Sequence, residues 1–240
     1  MTQANQEGRA REKTTESNIR ENLVSVTANS VQLQGNLALP VNAQGIVLFA
    51  HGSGSSRFSP RNRYVAGVLQ QAGLATLLID LLTPEEEAID IRTRHLRFNI
   101  GLLAARLVGA TDWLLQNPAT GRLQIGYFGA STGSAAALLA ATERPKAVGA
   151  IVSRGGRPDL AGSALSRVQA PTLLIIGGHD FPVIEMNRNA LAQLQTEKQL
   201  EIVPGATHLF EEPGALETVA RLANRWFQRY LTPTSTLSVH

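Results

Sequence analysis

Three residues in glycine-containing segments have the types and the chain order that nucleophilic acyl transfer needs. Ser131 is the centre of a G-x-S-x-G pattern at 129–133, Asp180 ends the segment GGHD, and His208 lies in PGATHLF. A serine hydroxyl is a weak nucleophile until an imidazole takes its proton, and a carboxylate holds that imidazole in the required tautomer. We therefore predict Ser131 as the nucleophile, His208 as the general base and Asp180 as the acid that orients it.

Each of these residues also has an ordinary structural explanation. A serine after a strand can cap the amino end of the next helix, and Asp180 could do the same. Asp159, which follows another apolar segment, is the alternative acid. His179, which is adjacent to Asp180, and His51, in an earlier loop, are interpreted as packing or hydrogen-bonding residues. The choice of Asp180 therefore rests on its place after the next-to-last predicted strand, where this chemistry usually has its carboxylate.

The loop His-Gly-Ser-Gly-Ser-Ser at 51–56 is a candidate half of an oxyanion hole. A tetrahedral intermediate needs N–H donors that are aimed at its oxygen before the reaction begins. The residue after the nucleophile, Thr132, is expected to supply one N–H group. Ser53 is expected to supply the other, with Gly54 as the alternative. The remaining interpretation is a flexible glycine–serine turn with no part in binding.

These loops follow apolar segments that are typical of strands buried on both faces of a parallel sheet. The predicted buried strands are 45–50, 74–79, 123–128, 147–152, 172–176 and 200–203. Periodic or alanine-rich segments predict helices at 63–72, 96–115, 131–142, 186–195 and 216–231. Residues 23–27 and 31–39 alternate apolar and polar, as half-buried antiparallel strands do. The pattern predicts an α/β fold with a mostly parallel, doubly wound sheet and an antiparallel N-terminal edge.

Composition limits the class of protein. The chain has 240 residues, 43% of them hydrophobic, which suits one domain, predicted at 23–231 between flexible tails at 1–22 and 232–240. There is no cysteine, so disulfides, thiolate metal sites and a cysteine nucleophile are excluded. Scattered arginines and an aromatic content of 5% argue against nucleic-acid binding. No apolar segment approaches the ~20 residues of a membrane span and no signal peptide is evident, so we expect a cytoplasmic protein.

The segments HGSGSS, GASTG, GGHD and PGATHLF together resemble the dienelactone hydrolase-like family of the α/β-hydrolase superfamily. The resemblance covers residues 23–231. It implies an α/β-hydrolase fold and ester or lactone hydrolysis without a cofactor or metal. The chain also resembles hydrolase-like proteins that are found fused to phosphoribosyltransferases. Dienelactone hydrolases proper use a cysteine nucleophile, which this sequence lacks. The resemblance therefore supports a serine mechanism and leaves the dienelactone substrate open.

The sequence thus predicts a serine hydrolase that cleaves a small ester, lactone or thioester through an acyl-enzyme intermediate. A non-catalytic interaction module with the α/β-hydrolase fold and an acyltransferase are the alternatives. An intact set of nucleophile, base and acid favours an enzyme, because a binding module has no need to keep all three. The oligomeric state does not follow from the sequence.

Arginines at the predicted active edge raise the question of substrate charge. Arg57, Arg154 and Arg157 follow predicted strand ends, and arginine binds carboxylate and phosphate groups bidentately. They are candidate contacts for an anionic acyl substrate. The other interpretation is that they pair with acidic residues, Asp80 or those at 85–87, or lie in solvent. Residues 83–94 interrupt the strand–helix rhythm and are interpreted as a lid or entrance segment.

Overall fold

The computed structural model describes residues 19–232, which form one eight-stranded sheet with helices on both faces. The strands are β1 (Ile19–Ala28), β2 (Val31–Pro40), β3 (Gly45–Ala50), β4 (Ala75–Ile79), β5 (Gln124–Ala130), β6 (Val148–Arg154), β7 (Thr172–Gly177) and β8 (Lys198–Val203). The helices are α1 (Pro60–Gln71), α2 (Pro84–Thr93), α3 (Ile100–Gln116), α4 (Thr132–Glu143), α5 (Phe181–Gln193) and α6 (Ala215–Leu231), with a 3₁₀ segment at Pro158–Arg167. The strand order is β1-β2-β4-β3-β5-β6-β7-β8, which confirms the predicted doubly wound sheet.

The antiparallel N-terminal edge is a hairpin of β1 and β2, and β2 also pairs antiparallel with β4. All other strand pairs, from β4–β3 to β7–β8, are parallel. Strand β1 begins at Ile19, four residues before its predicted start, and pairs there with Pro40. Its first residues are polar and exposed, so backbone pairing with β2 rather than apolar burial extends the strand. The rest of the predicted tails, at 1–18 and 233–240, lies outside the described residues.

The sheet separates two apolar cores, and each strand of its centre contributes to both. In β3, Ile46 and Leu48 face the core that contains α3 and α4, whereas Val47 and Phe49 face the core that contains α1 and α6. This alternation explains why the parallel strands are apolar at nearly every position. Among residues 19–232, no helix has both the length and the hydropathy needed to cross a membrane.

The segment at 83–94 is largely helical, which the sequence analysis did not predict. Thr83 and Glu86 form a reciprocal capping box at the start of α2. Buried Asp90 forms an ion pair with Arg97, and Glu86 pairs with Arg106 of α3 at 2.5 Å. These contacts tie α2 to the chain that follows it. A lid function for this segment stays a prediction.

Candidate active site

Ser131 occupies a strained turn between β5 and α4. Its backbone has φ 50° and ψ −121°, a conformation that non-glycine residues rarely adopt and that costs about 1–3 kcal/mol. The flanking glycines make the turn possible. A Cβ atom at Gly129 would lie 2.5 Å from Ser134 Cα, and one at Gly133 would lie 2.2 Å from the Ala50 carbonyl oxygen. Ser131 therefore has the backbone geometry of a nucleophile at a strand-to-helix elbow.

His208 and Asp180 are joined by a short hydrogen bond. His208 Nδ1 lies 2.6 Å from Asp180 Oδ2, and the two side chains are 38% and 12% exposed. Asp180 occupies the N-cap position of α5, yet its side chain makes no capping bond. The carboxylate is thus directed to the imidazole instead of to its own helix. With Nδ1–H donating to Asp180, His208 Nε2 is left as the proton acceptor.

The end of β6 brings this pair close to Ser131. The Ser131 N–H donates to the Arg154 carbonyl at 3.2 Å, and a Cβ atom at the next residue, Gly155, would lie 3.5 Å from His208 Cε1. Within the described part of the chain, Ser131 Oγ and His208 make no hydrogen bond to one another. Such bonds are often long without substrate and tighten when it binds. Asp159, the alternative acid, instead pairs with Arg157 at 2.8 Å, and His179 is exposed.

The loop after β3 contacts the elbow directly. The Ser53 N–H donates to Thr132 Oγ1 at 2.9 Å. His51 holds the loop from the other side, since its Nδ1 lies 2.9 Å from the Gly52 carbonyl and its Nε2 accepts from the Leu81 N–H at 3.0 Å. Burial lowers the pKa of the His51 imidazole, against the opposing effects of this carbonyl and of nearby carboxylates. A neutral ring with Nδ1–H satisfies both contacts, which agrees with a hydrogen-bonding rather than a basic role. Gly54, the alternative donor, adopts φ 70° in the same turn.

The three candidate arginines have different surroundings. Arg57 forms an ion pair with Asp80, and Arg157 forms the pair with Asp159 already described. Arg154 is only 7% exposed, and among residues 19–232 no carboxylate forms an ion pair with it. Arg57 thus pairs with one of the carboxylates that the sequence suggested, whereas Arg157 pairs with a carboxylate outside that set.

Buried Arg154 has neighbours that the sequence analysis did not identify. Its guanidinium donates one long bond of 3.4 Å to Asn62 Oδ1, and its Nε atom has no partner in the described chain. The Phe210 ring lies 6.0 Å away. Burial, and secondarily the charge of Arg61, lowers the pKa of Arg154 to about 10. Asn62 and Arg61 both belong to the first turn of α1. The sequence did not reveal these neighbours, because it does not show that this turn packs against the end of β6.

Large apolar side chains are exposed along the same edge of the sheet. They lie in the segments that connect β3, β4, β6 and β8 to the next long helix or strand, or at the start of the helix that follows β7, and they are Phe58, Phe98, Leu160, Phe181 and Leu209. Exposed apolar side chains around polar catalytic groups are a common composition of small-molecule sites. No group of three or more His, Asp or Glu side chains within 19–232 is arranged to hold a metal ion.

Comparison with known proteins identifies the same family by sequence and by structure. Residues 33–233 match the family model described as the dienelactone hydrolase family. The crystal structure of a dienelactone hydrolase from Anabaena variabilis is 71% identical, covers 89% of this chain and 99% of its own, and superimposes with a TM-score of 0.88. Est1E from Butyrivibrio proteoclasticus is 15% identical, with a TM-score of 0.72 over 86% of this chain and 98% of its own, and shows the shared fold alone.

Curated relatives from Mycobacterium tuberculosis carry a different name. Proteins of two strains, each called "Putative phosphoribosyl transferase", are 58% identical to this chain over 213 residues. The match covers 89% of this chain and 47% of theirs, so the chain spans about half the length of these relatives. Their name therefore describes proteins that extend well beyond the matched region.

Proposed function

The chain belongs to the dienelactone hydrolase family, and we propose that it is a serine hydrolase that cleaves a small ester, lactone or thioester. The observation that carries this proposal is the strained backbone of Ser131 at the strand-to-helix turn. Strain of this kind persists only where the surrounding structure imposes it, and it is concentrated at reactive residues. The proposed triad is Ser131, His208 and Asp180.

In the proposed reaction, Ser131 Oγ attacks the carbonyl carbon while its proton moves to His208 Nε2. The carbonyl π electrons move to the oxygen, which then carries a negative charge. Collapse of this intermediate expels the alcohol or thiol, which takes the proton from His208, and leaves an acyl group on Ser131. Water, deprotonated by His208, then attacks the acyl carbon. The second tetrahedral intermediate breaks the bond to Ser131 Oγ, which takes the proton back from His208 as the acid is released. Asp180 stabilises the imidazolium that forms in each half of the cycle.

The proposed oxyanion donors are the backbone N–H groups of Thr132 and Ser53, with Gly54 as the alternative. Contact between the two loops places Ser53 beside the elbow, where its N–H donates to Thr132 Oγ1 at 2.9 Å and would have to leave that bond to reach an oxyanion directly. The Thr132 N–H is at the start of α4, where the first N–H groups of a helix lack intrahelical partners and favour negative charge.

For the substrate, we propose an acyl compound with an anionic group that reaches Arg154. Of the candidate arginines, Arg57 and Arg157 are neutralised by ion pairs, whereas Arg154 is buried with an unpartnered Nε atom. A buried cation without a counter-charge is costly unless a ligand supplies one. The exposed apolar side chains along the same edge would contact the rest of the acyl or leaving group.

Two other classes of function make different predictions. A non-catalytic interaction module would have no reason to keep Ser131 in a strained conformation beside a His–Asp pair. An acyltransferase would form the same acyl-enzyme and pass the acyl group to an acceptor other than water. The transferase name of the longer relatives applies to their whole length, and we propose hydrolysis for the region that this chain shares with them.

The test is covalent labelling followed by turnover. Wild type should react with a fluorophosphonate probe at Ser131 and hydrolyse one member of a panel of small acyl esters, lactones and thioesters. Ser131→Ala should lose both activities. Ser166→Ala is the matched control, because that serine is exposed in the 3₁₀ segment and bonds only to Ser163. Labelling that survives in Ser131→Ala would show that the nucleophile has been assigned to the wrong residue.

A further inference from the structure

The Thr132 side chain lies between the nucleophile elbow and the loop after β3. It is 3% exposed, and its hydroxyl oxygen accepts the Ser53 N–H at 2.9 Å, a normal hydrogen-bond length. A hydroxyl has one proton to donate as well as lone pairs to accept. Within residues 19–232, neither that proton nor the Thr132 backbone N–H is given to an acceptor. Thr132 therefore has two uncommitted donors beside the nucleophile.

The direction of the Ser53 N–H is set by His51. The imidazole holds the Gly52 carbonyl oxygen at 2.9 Å. A planar trans peptide directs its N–H opposite to its carbonyl, so fixing the Gly52 oxygen also aims the Ser53 N–H at the elbow. A Cβ atom at Gly52 would lie 3.1 Å from Ser131 Cβ, which shows how closely the two segments approach. The hydrogen bond between Ser53 and Thr132 is thus favoured by the His51 contact on the loop and by the close approach of the loop to the elbow.

We propose that the Thr132 hydroxyl is an oxyanion donor that carries the Ser53 N–H contribution to the substrate. The oxyanion would receive the backbone N–H and the side-chain O–H of Thr132. Ser53 would keep its bond to that hydroxyl, so this arrangement takes the place of direct donation from the Ser53 N–H. An O–H group whose oxygen accepts a hydrogen bond is a stronger donor, because hydrogen bonds in a chain polarise one another. This inference rests on the proposed hydrolase function and assigns a role to a side chain within it.

A competing arrangement uses the same contacts in the opposite sense. The Thr132 hydroxyl could occupy the position of the oxyanion, so that it must rotate away before the Ser53 N–H can donate to the oxyanion directly. Loss of the hydroxyl would then release a donor and leave catalysis equal or faster. Under the proposal, loss of the hydroxyl removes a donor and slows catalysis.

Thr132→Val, which keeps the shape and removes the hydroxyl, separates the two arrangements. We expect kcat to fall about 10- to 100-fold with KM within about twofold, at or below the ~10²–10³-fold effect of losing one oxyanion donor. Thr132→Ser should recover most of the rate. Thr142→Val is the matched control in the same helix, because Thr142 bonds to the Leu139 carbonyl at the other end of α4.

A second readout distinguishes catalysis from structure. A trifluoromethyl ketone forms a tetrahedral adduct with Ser131 that carries an oxyanion, so its inhibition constant should rise in proportion to the loss in kcat/KM. If Thr132→Val melts early, Thr132→Ala provides the same comparison. A hydroxyl-free variant with wild-type kcat, or a serine variant as slow as valine, would overturn the proposal. If Ser131→Ala remained active, the proposed function itself would fail, whatever the result at Thr132.

Discussion

Asp180→Asn is the substitution that tests the His–Asp pair most directly. The carboxylate lies 2.6 Å from His208 Nδ1 and is 12% exposed, so little water can replace it. An asparagine amide of the same size can present its NH₂ group to Nδ1. The imidazole would then carry its proton on Nε2, where it can no longer accept the Ser131 proton. The nucleophile would lose its base while its position stayed the same.

The expected magnitude follows from two losses. A hydrogen bond to a charged group contributes about 1.5–3 kcal/mol, and its loss from the imidazolium alone would slow the reaction about 10- to 150-fold. The reversed tautomer adds a further penalty, and the two together reach about 10³–10⁴-fold in kcat for a triad of this kind. We therefore expect a fall of that size with a melting temperature close to that of wild type.

The assay is hydrolysis of p-nitrophenyl acetate, or of the best ester found for wild type, at neutral pH. Asp159→Asn is the control, because Asp159 pairs with Arg157 and not with His208. It should retain activity within about threefold, as expected for a half-exposed ion pair. A loss of less than tenfold in Asp180→Asn, or a larger loss in Asp159→Asn, would refute the assignment of the acid.

Three further perturbations test other parts of the site. Gly133→Ala should lower the free energy of unfolding by at least about 1–3 kcal/mol in denaturant titrations, because its Cβ would lie 2.2 Å from the Ala50 carbonyl oxygen. Gly67→Ala is the control: its Cβ would have no other atom within 4 Å, so this change should stabilise α1 by about 0.5–1 kcal/mol. Arg154→Gln should cost about 10- to 100-fold in kcat/KM for an anionic ester and little for a neutral one, whereas Arg157→Gln should affect both weakly; equal losses in Arg154→Gln would exclude an anion contact. Burial lowers the pKa of His51 in the folded protein, so its contribution to the free energy of unfolding is complete above pH ~6.5 and declines below it. The stability advantage of wild type over His51→Asn should therefore shrink between about pH 7 and pH 5. An advantage independent of pH would contradict this.

Much of the fold could be predicted because burial on two faces leaves a strong signal. The ends of the parallel strands β3 to β7 were all predicted to within two residues, since these strands are largely apolar. Helix α2 was missed because its sequence has weak amphipathic periodicity and its stability comes from a capping box and from ion pairs to Arg97 and Arg106. Strand β1 starts early for a related reason: backbone pairing extends it through exposed polar residues.

The site shows the same division between backbone and side chain. The positions of Ser131, Asp180 and His208 at the carboxyl edge follow from strand order and from glycine spacing, both of which are visible in the sequence. The contact between Ser53 and Thr132 was not predicted, because it depends on the rotamer of Thr132 and on the orientation of the peptide between Gly52 and Ser53. That orientation is set by His51, whose ring is held in turn by the N–H group of Leu81, 30 residues further along the chain. The sequence also could not show that Arg57 and Arg157 form ion pairs while Arg154 does not, because the partners are set by the tertiary structure.

A serine nucleophile, as proposed for position 131, needs more help from neighbouring groups than a cysteine nucleophile would. A thiol with a pKa near 8.5 is partly ionised at neutral pH, so a cysteine nucleophile can attack with limited help from a base. A serine hydroxyl is not ionised at that pH, so in the proposed reaction the Ser131 proton must leave as the bond to carbon forms. Charge then develops at once on the imidazole of His208 and on the carbonyl oxygen. A partly buried carboxylate at 2.6 Å from the imidazole and an additional donor at Thr132 would stabilise these two charges, so the proposed roles of Asp180 and Thr132 follow from the same chemical requirement.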